Sequence, residues 1–360
     1  MIVSEFVPKP YKFLLDSGSV TYNSPSNIAL VKYWGKEAHQ IPANPSISFT
    51  LNNCKTLTTL QFEKKTTKGF SFEVFFEGII KNEFMPKIVQ FFERIEVYLP
   101  FLSRYHFKIE TSNTFPHSSG IASSASGMSA LALCLVQLEQ RLNPETTKAF
   151  FNKKASFLAR LGSGSACRSI EGPLIVWGSH DNIIGSSDFL GIKYPYEVHP
   201  NFNNFCDTIL LVDKGEKQVS STVGHDLMHG HPFAEQRFAQ AHTNIDALIK
   251  VFKTGDLSAF ISIVEREALT LHAMMMSSDP YFTLMKPNTL EIINKIWAFR
   301  KKTGLHICFT LDAGANVHVL FPENEANEIR QFVKASLIMH CQNKHFIEDN
   351  LGQGAQPIKI

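Results

Sequence analysis

The sequence is short of several features that would assign a class at once. No apolar run approaches the roughly 20 residues that a membrane-spanning helix needs; the longest lies near Met128–Val136. The opening residues, MIVSEFVPKP, hold no basic stretch followed by an apolar one, so no secretory leader is expected. Neither sign of charge dominates: 35 Lys and Arg stand against 33 Asp and Glu, for a formal charge of +2. A near-neutral chain has no basic stripe, which argues against nucleic acid as a partner, and nothing points to a membrane. Repeats and low-complexity segments are absent. The six cysteines (Cys54, Cys134, Cys167, Cys206, Cys308, Cys341) are scattered, with no CxxC pair. They read as reduced thiols, and the expected location is cytoplasmic.

What is present suits a packed enzyme-sized chain. At 360 residues and 44% hydrophobic it can bury one large core or two modest ones. The 30 Phe read as core filling. Strand and helix signals alternate. Gly69–Glu77 and Arg104–Thr111 alternate apolar and polar residues, as half-buried strands do. Between them Ile88, Phe92, Ile95 and Leu99 form a helical stripe bounded by Pro86 and Pro100. A second helix is expected from Ser124 to Leu142, and a third from Asn143 as N-cap with Pro144 at its first position. Leu174–Trp177 and Thr208–Val212 read as strands, with the polar stretch Gly178–Ser187 near a domain change. Helices follow at Pro232–Phe252, Leu257–Met274 and Thr289–Thr303. His306–Thr310 and Val317–Phe321 should pair as strands, and a last helix should run Asn324–Met339. The mixture is α/β or α+β.

One segment carries most of the chemical information. Phe115-Pro-His-Ser-Ser-Gly-Ile-Ala-Ser-Ser-Ala-Ser-Gly127 is small, rich in Ser and Gly, and feeds into a helix. Small side chains let an anion approach the backbone, and the N–H groups of a helix start can bind phosphate. No Gly-Lys-Ser/Thr follows, so it is no Walker loop. The residues alone fit a phosphate cradle and a flexible loop with a Ser cap equally well. Three charged residues also stand out. Asp312 precedes Ala-Gly and could be a mere turn former. Lys32 in an apolar strand needs a partner for its amine. Arg168 after a Gly/Ser loop could pair on the surface.

Taken together, the motifs resemble those of one family. Pro116-His-Ser-Ser-Gly120-Ile-Ala-Ser-Ser-Ala125 is similar to the P-x-x-x-G-L-x-S-S-A loop of GHMP kinases. Asn27-Ile-Ala-Leu-Val-Lys-Tyr-Trp-Gly-Lys36, Asn44-Pro-Ser-Ile-Ser-Phe-Thr-Leu51, Gly162-Ser-Gly-Ser-Ala-Cys-Arg-Ser169 and Leu311-Asp-Ala-Gly-Ala-Asn316 resemble, in order, segments of the diphosphomevalonate decarboxylases. Val219-Ser-Ser-Thr222 is a shorter match.

The resemblance implies an α+β, two-domain GHMP kinase fold. Residues 1–190 would form a ribosomal-S5-like domain with the phosphate loop, and 191–360 a ferredoxin-like domain carrying the catalytic Asp. It implies ATP-dependent decarboxylation of mevalonate 5-diphosphate with magnesium, through phosphorylation of the 3-hydroxyl, giving isopentenyl diphosphate, ADP, phosphate and carbon dioxide. It assigns Asp312, Lys32 and Arg168 to catalysis. Tyr33, Lys36, Ser163, Ser165, Arg168 and Ser221 would bind substrate. Ser118, Ser119, Gly120, Ser123, Ser124 and Lys217 would bind ATP, with Ser124 near the magnesium on its phosphates. A homodimer is common in the family. Its siblings are the rivals: a phosphomevalonate decarboxylase, a mevalonate 3-kinase, or an idle nucleotide-binding relative.

The sequence departs from the family pattern in places. His117-Ser118-Ser119 stand for Thr-Ala-Ala, Ile121 for Leu, Pro45 for Ser, and Ala315 for Pro; Gly352-Gln-Gly-Ala-Gln356 stands for a G-S-G-P-Q type segment. His225, His229 and His231 are expected in a solvated loop rather than on a metal. Cys167 is expected as packing, as are Met274–Met276.

Overall fold

A computed structural model of the chain describes residues 3–117, 121–215 and 221–358. Two long antiparallel strands, β1 (Ser17–Val31) and β2 (Ser46–Lys64), form the spine of an eight-stranded sheet. The alternating segments fall where expected: β3 (Ser71–Phe76) lies parallel to β4 (Tyr105–Asn113), which pairs antiparallel with β2. β5 (Leu174–Trp177) pairs with the first residues of β2. On β4, Tyr105, Phe107 and Ile109 point into the core, as period-two alternation requires.

Three helices cover one face of this sheet: α1 (Met85–Ile95), α2 (Ser123–Leu142) and α3 (Lys148–Gly162). α2 is buried almost all round, and small residues such as Ser129, Ala130 and Ala132 let it lie close to β1 and β2. Its hydroxyls find partners in the sheet; Ser126 Oγ and Thr56 Oγ1 are 2.6 Å apart. The start of α3 differs from the sequence reading. Asn143 closes α2, its N–H bonded to the carbonyl of Glu139, and the cap of α3 is Thr147, whose hydroxyl accepts from Phe150 N–H. Pro144 therefore sits in the connecting turn, and a Thr three residues on does the capping.

The second half forms a four-stranded antiparallel sheet of β6 (Phe205–Leu210), β7 (Cys308–Thr310), β8 (Val317–Pro322) and β9 (Phe346–Asn350). Their order is β7-β8-β6-β9, the ferredoxin-like arrangement. Between β6 and β7 run α4 (Ser221–Asp226), α5 (Ala234–Thr254), α6 (Leu257–Met276) and α7 (Pro287–Thr303). The last helix is shorter than expected. α8 spans Ala326–Phe332, and the chain then relaxes through a π turn, Val333–Leu337, into a 3-10 turn. Among the described residues no helix is long and apolar enough to cross a membrane.

The halves are joined by a shared core. Ile28 and Phe49 from the first sheet pack in one cluster with Phe205, Ile245 and Phe260 from the second half. The joint is also polar at one point. Asp349 on β9 accepts the N–H groups of Asn52, Asn53 and Cys54 at 2.8–2.9 Å, so one carboxylate fixes a bend of β2. The chain end returns as well, with Gln356–Pro357 paired to β1. This joint holds the end of β1 against the β7–β8 turn, and the candidate site lies between them.

Candidate active site

β1 ends at Val31, and Lys32 follows with its side chain buried at 1% exposure. Its amine lies 2.9 Å from Asp312 Oδ1, a residue 280 positions away. The lysine backbone is pinned before the amine meets that partner. Its N–H donates to Glu267 Oε2, and its carbonyl accepts from Asn44 Nδ2 and Arg237 Nη2 at 2.9–3.0 Å. Glu267 and Arg237 form a fully buried ion pair at 2.6 Å, with Asn244 as a further donor to Glu267. Burial pushes the Lys32 amine down, and the charge of Asp312 opposes that shift.

Asp312 sits in the tight turn between β7 and β8. Its carbonyl accepts from Gly314 N–H at 2.7 Å and from His272 Nε2 at 3.2 Å. Thr289 Oγ1 donates to the carbonyl of Ala315 in the same turn. Helices α6 and α7 thus hold the turn that sequence spacing alone presents as a generic loop. His272 is buried and pushed down to about 4, so it stays neutral there.

Arg168 faces this pair from a 3-10 turn, Gly164–Ser169. It is 3% exposed, yet no carboxylate lies within ion-pair distance of it among the described residues. Its Nη1 donates to Ser46 Oγ at 2.6 Å and its Nε to Asn27 Oδ1 at 3.2 Å, while the guanidinium lies over the Trp177 ring. A buried guanidinium oriented by neutral groups is a receptor for an anion. Gly164 lets the turn approach: a Cβ there would lie 2.7 Å from the Trp177 ring and 2.9 Å from the Tyr33 hydroxyl. That hydroxyl is buried and has no hydrogen-bond partner among the described residues.

Two cavities meet here. One, of about 450 Å³, is lined by Lys32, Tyr33, Lys36, Arg168, His225 and Asp312, with Ser163 and Ser165 on its edge. The other, about 520 Å³, is more apolar, with Phe76, Phe84, His117, Ile88 and Met128 in its wall. Both linings include Lys87, Ser123 and Ser124. The N-cap of α2 is Ala122 in a left-handed conformation, φ 49°, and among the described residues no side chain caps this helix start. Its first residues, Ser123 and Ser124, line the junction, as an anion site would need. Among the described residues no three His, Cys, Asp or Glu cluster to hold a metal. A cation at this junction would ride on phosphate oxygens, with Ser124 at hand.

The structure thus gathers Lys32, Tyr33, Lys36, Ser123, Ser124, Ser163, Ser165, Arg168 and Asp312 around adjoining cavities. Ser118, Ser119, Gly120 and Lys217, and the side chain of Ser221, lie outside the described residues. Sequence reasoning missed Lys87, which stands on α1 at the junction with no acidic partner among the described residues. A lysine on the flank of an amphipathic helix carries no signal of its own. It also missed Glu267 and Arg237, and here a signal existed. Arg237, Ala241, Asn244 and Leu248 share one buried face of α5, so polar residues interrupt an apolar stripe.

The histidines need correction. His225 and His231 are buried, not solvated. His225 packs at a tilt against Tyr33 and Trp34, and His231 bonds to the carbonyl of Met274. His229 alone is exposed. Cys167 is buried as expected, its thiol pushed up to about 12 by burial. Met274 and Met275 lie in the core, whereas Met276 is exposed.

Two family models match the chain. Residues 24–189 match the diphosphomevalonate decarboxylase-like N-terminal domain, and 208–358 the mevalonate 5-diphosphate decarboxylase C-terminal domain. The diphosphomevalonate decarboxylase of Gibberella zeae is 29% identical over 322 residues, which span 85% of this chain and 81% of that protein. A solved structure of MDDEF in complex with MVAPP, AMPPCP and magnesium is similar with a TM-score of 0.81 at 28% identity, over 96% of this chain and 100% of that one. A mevalonate diphosphate decarboxylase structure from Enterococcus faecalis gives 0.81 at 27% identity, with the same coverage.

Proposed function

The chain belongs to the diphosphomevalonate decarboxylase family, and on that premise we propose how its paired cavities divide the reaction. The enzyme is an ATP-dependent decarboxylase of mevalonate 5-diphosphate in isoprenoid biosynthesis. Magnesium bound with the nucleotide would supply charge neutralisation at the phosphates. The residue roles are our reading. The apolar cavity takes the nucleotide, with its phosphates directed at the start of α2 and Lys87. The polar cavity takes mevalonate 5-diphosphate.

Asp312 takes the proton of the tertiary hydroxyl as the phosphoryl group arrives. Lys32, at 2.9 Å, keeps that carboxylate ionised. Arg168 holds the substrate carboxylate beside C3, fixing the bond that breaks when phosphate departs. Tyr33, Lys36, Ser163, Ser165 and Ser221 bind the substrate's remaining polar groups, with its diphosphate on the side of Lys36 and Lys87. Ser118, Ser119, Gly120, Ser123, Ser124 and Lys217 would hold ATP, with Ser124 the residue at hand for magnesium on its phosphates. The observation that carries the reading is the pair of buried Lys32 and half-buried Asp312, facing a buried Arg168 that has no ion-pair partner among the described residues, at a junction of two cavities.

A boundary near residue 190 is supported by the unmatched residues between the two family segments. All six cysteines are buried free thiols, which supports a cytoplasmic enzyme. A homodimer, common in the family, completes this proposal. The discriminating experiment compares kcat/KM for mevalonate, its 5-phosphate and its 5-diphosphate. The diphosphate should exceed the monophosphate by roughly a hundredfold, the effect of losing charged hydrogen bonds at one phosphate. A preference for the monophosphate would move the protein to the sibling activity.

A further inference from the structure

His225 belongs to none of the sequence motifs with an assigned role, yet it lines the polar cavity. It projects from α4, and its ring lies 4.2 Å from that of Tyr33 and 4.6 Å from that of Trp34, centroid to centroid. The neighbouring Gly224 makes this approach feasible, because a Cβ there would lie 2.6 Å from the Trp34 ring. Gly35 N–H donates to His225 Nδ1 at 3.0 Å. A ring nitrogen that accepts a hydrogen bond carries no proton, so the neutral ring bears its proton on Nε2. Protonating Nδ1 would set two N–H groups against each other. Nε2 makes no hydrogen bond among the described residues, whereas Nδ1 does. Lys36 and Arg168 line the same cavity, so its ligand is an anion. A neutral donor adds a hydrogen bond to that anion without burying a further cation.

We propose that His225 is a further substrate-binding residue, whose Nε2–H donates to an anionic oxygen of the substrate held by Lys36 and Arg168. The proposal rests on the reading of the polar cavity as the mevalonate diphosphate site. It also gives α4 a function: the short helix presents a donor whose tautomer is fixed by the backbone it covers.

The two nitrogens can be separated by substitution. His225→Gln puts an amide donor near the position of Nε2 and gives up the acceptor for Gly35. His225→Asn keeps an acceptor near Nδ1 and loses the donor. His225→Phe keeps the ring between Tyr33 and Trp34 and loses both. Calorimetric affinity for mevalonate 5-diphosphate is measured for all three and for the wild type, alongside wild-type turnover. Gln should bind within a few-fold of wild type, while Asn and Phe should weaken by roughly ten- to hundredfold. Wild-type affinity in Asn or Phe would overturn the proposal. Equal weakening of Gln and Asn would also overturn it, assigning the effect to packing. Wild-type turnover with unchanged affinity in all variants would sink this proposal alone. No binding to the wild type would overturn the reading of the cavity with it.

Discussion

Replacing Asp312 by Asn is expected to lower kcat by roughly a thousandfold, with nucleotide affinity nearly unchanged. Asn matches Asp in shape but carries no charge and accepts no proton. The turn should survive, since it is held through backbone atoms: the Asp312 carbonyl bonds to Gly314 and His272, and Thr289 holds Ala315. Lys32 should also keep its place, because Glu267, Arg237 and Asn44 grip its backbone rather than its amine. The nucleotide cavity does not include Asp312 in its lining, so ATP should bind as before. Steady-state kinetics and a fluorescent-nucleotide titration read the two effects separately. A kcat within tenfold of wild type would remove Asp312 from the role of base.

The second large effect is loss of stability in mild acid. His225 is pushed down to about 3, first by burial and then by Lys36 and Arg168; His272 is pushed down to about 4 by burial, which outweighs the opposing hydrogen bond to Asp312, with Lys32 adding a smaller push. Both stay neutral in the fold at pH 5, while in the unfolded chain a histidine of pKa about 6.5 takes up a proton. The unfolded state then binds more protons, so stability is full above about pH 6.5 and falls as pH drops toward the folded values. Over the interval from pH 7 to 5 each histidine should cost about 2 kcal/mol, a large part of typical net stability for the two together. Buried carboxylates with raised values, Glu139 and Asp207, act in the opposite sense. Comparison with a variant removes them. In urea unfolding the loss from pH 7 to pH 5 should be about 2 kcal/mol smaller in His225→Gln than in wild type. An identical loss would mean that the ring is protonated within the fold.

The fold was legible where local chemistry decides it. Alternation placed β3 and β4, and Leu174–Trp177 was read to the residue. Boundaries failed where several local solutions compete. Asn-Pro at 143–144 is a good helix start, but Thr147 offered a cap further on, and the turn used it. The tail after Phe332 keeps helical spacing but not α-helical bonding. The site shows the same division. Lys32 was suspicious because a lysine among apolar strand residues needs a partner, but nothing local could say that the partner is Asp312. The family resemblance grouped the two as catalytic residues. His225 was misread because its polar neighbours, Asp226 and His229, suggest solvent. The slot that buries it is built by Tyr33, Trp34 and Gly35, some 190 positions away. Glu267 and Arg237 could have been found by asking why charges interrupt apolar helix faces.

The most direct test of the central claim follows ADP and carbon dioxide together as the purified protein turns over mevalonate 5-diphosphate with ATP and magnesium. Phosphorylation of the hydroxyl near Asp312 followed by loss of the carboxylate held at Arg168 requires one carbon dioxide for each ADP, with phosphate released in equal amount. ADP without carbon dioxide would make the protein a kinase and contradict the role given to Arg168; release of neither would contradict the assignment of the cleft as a catalytic site.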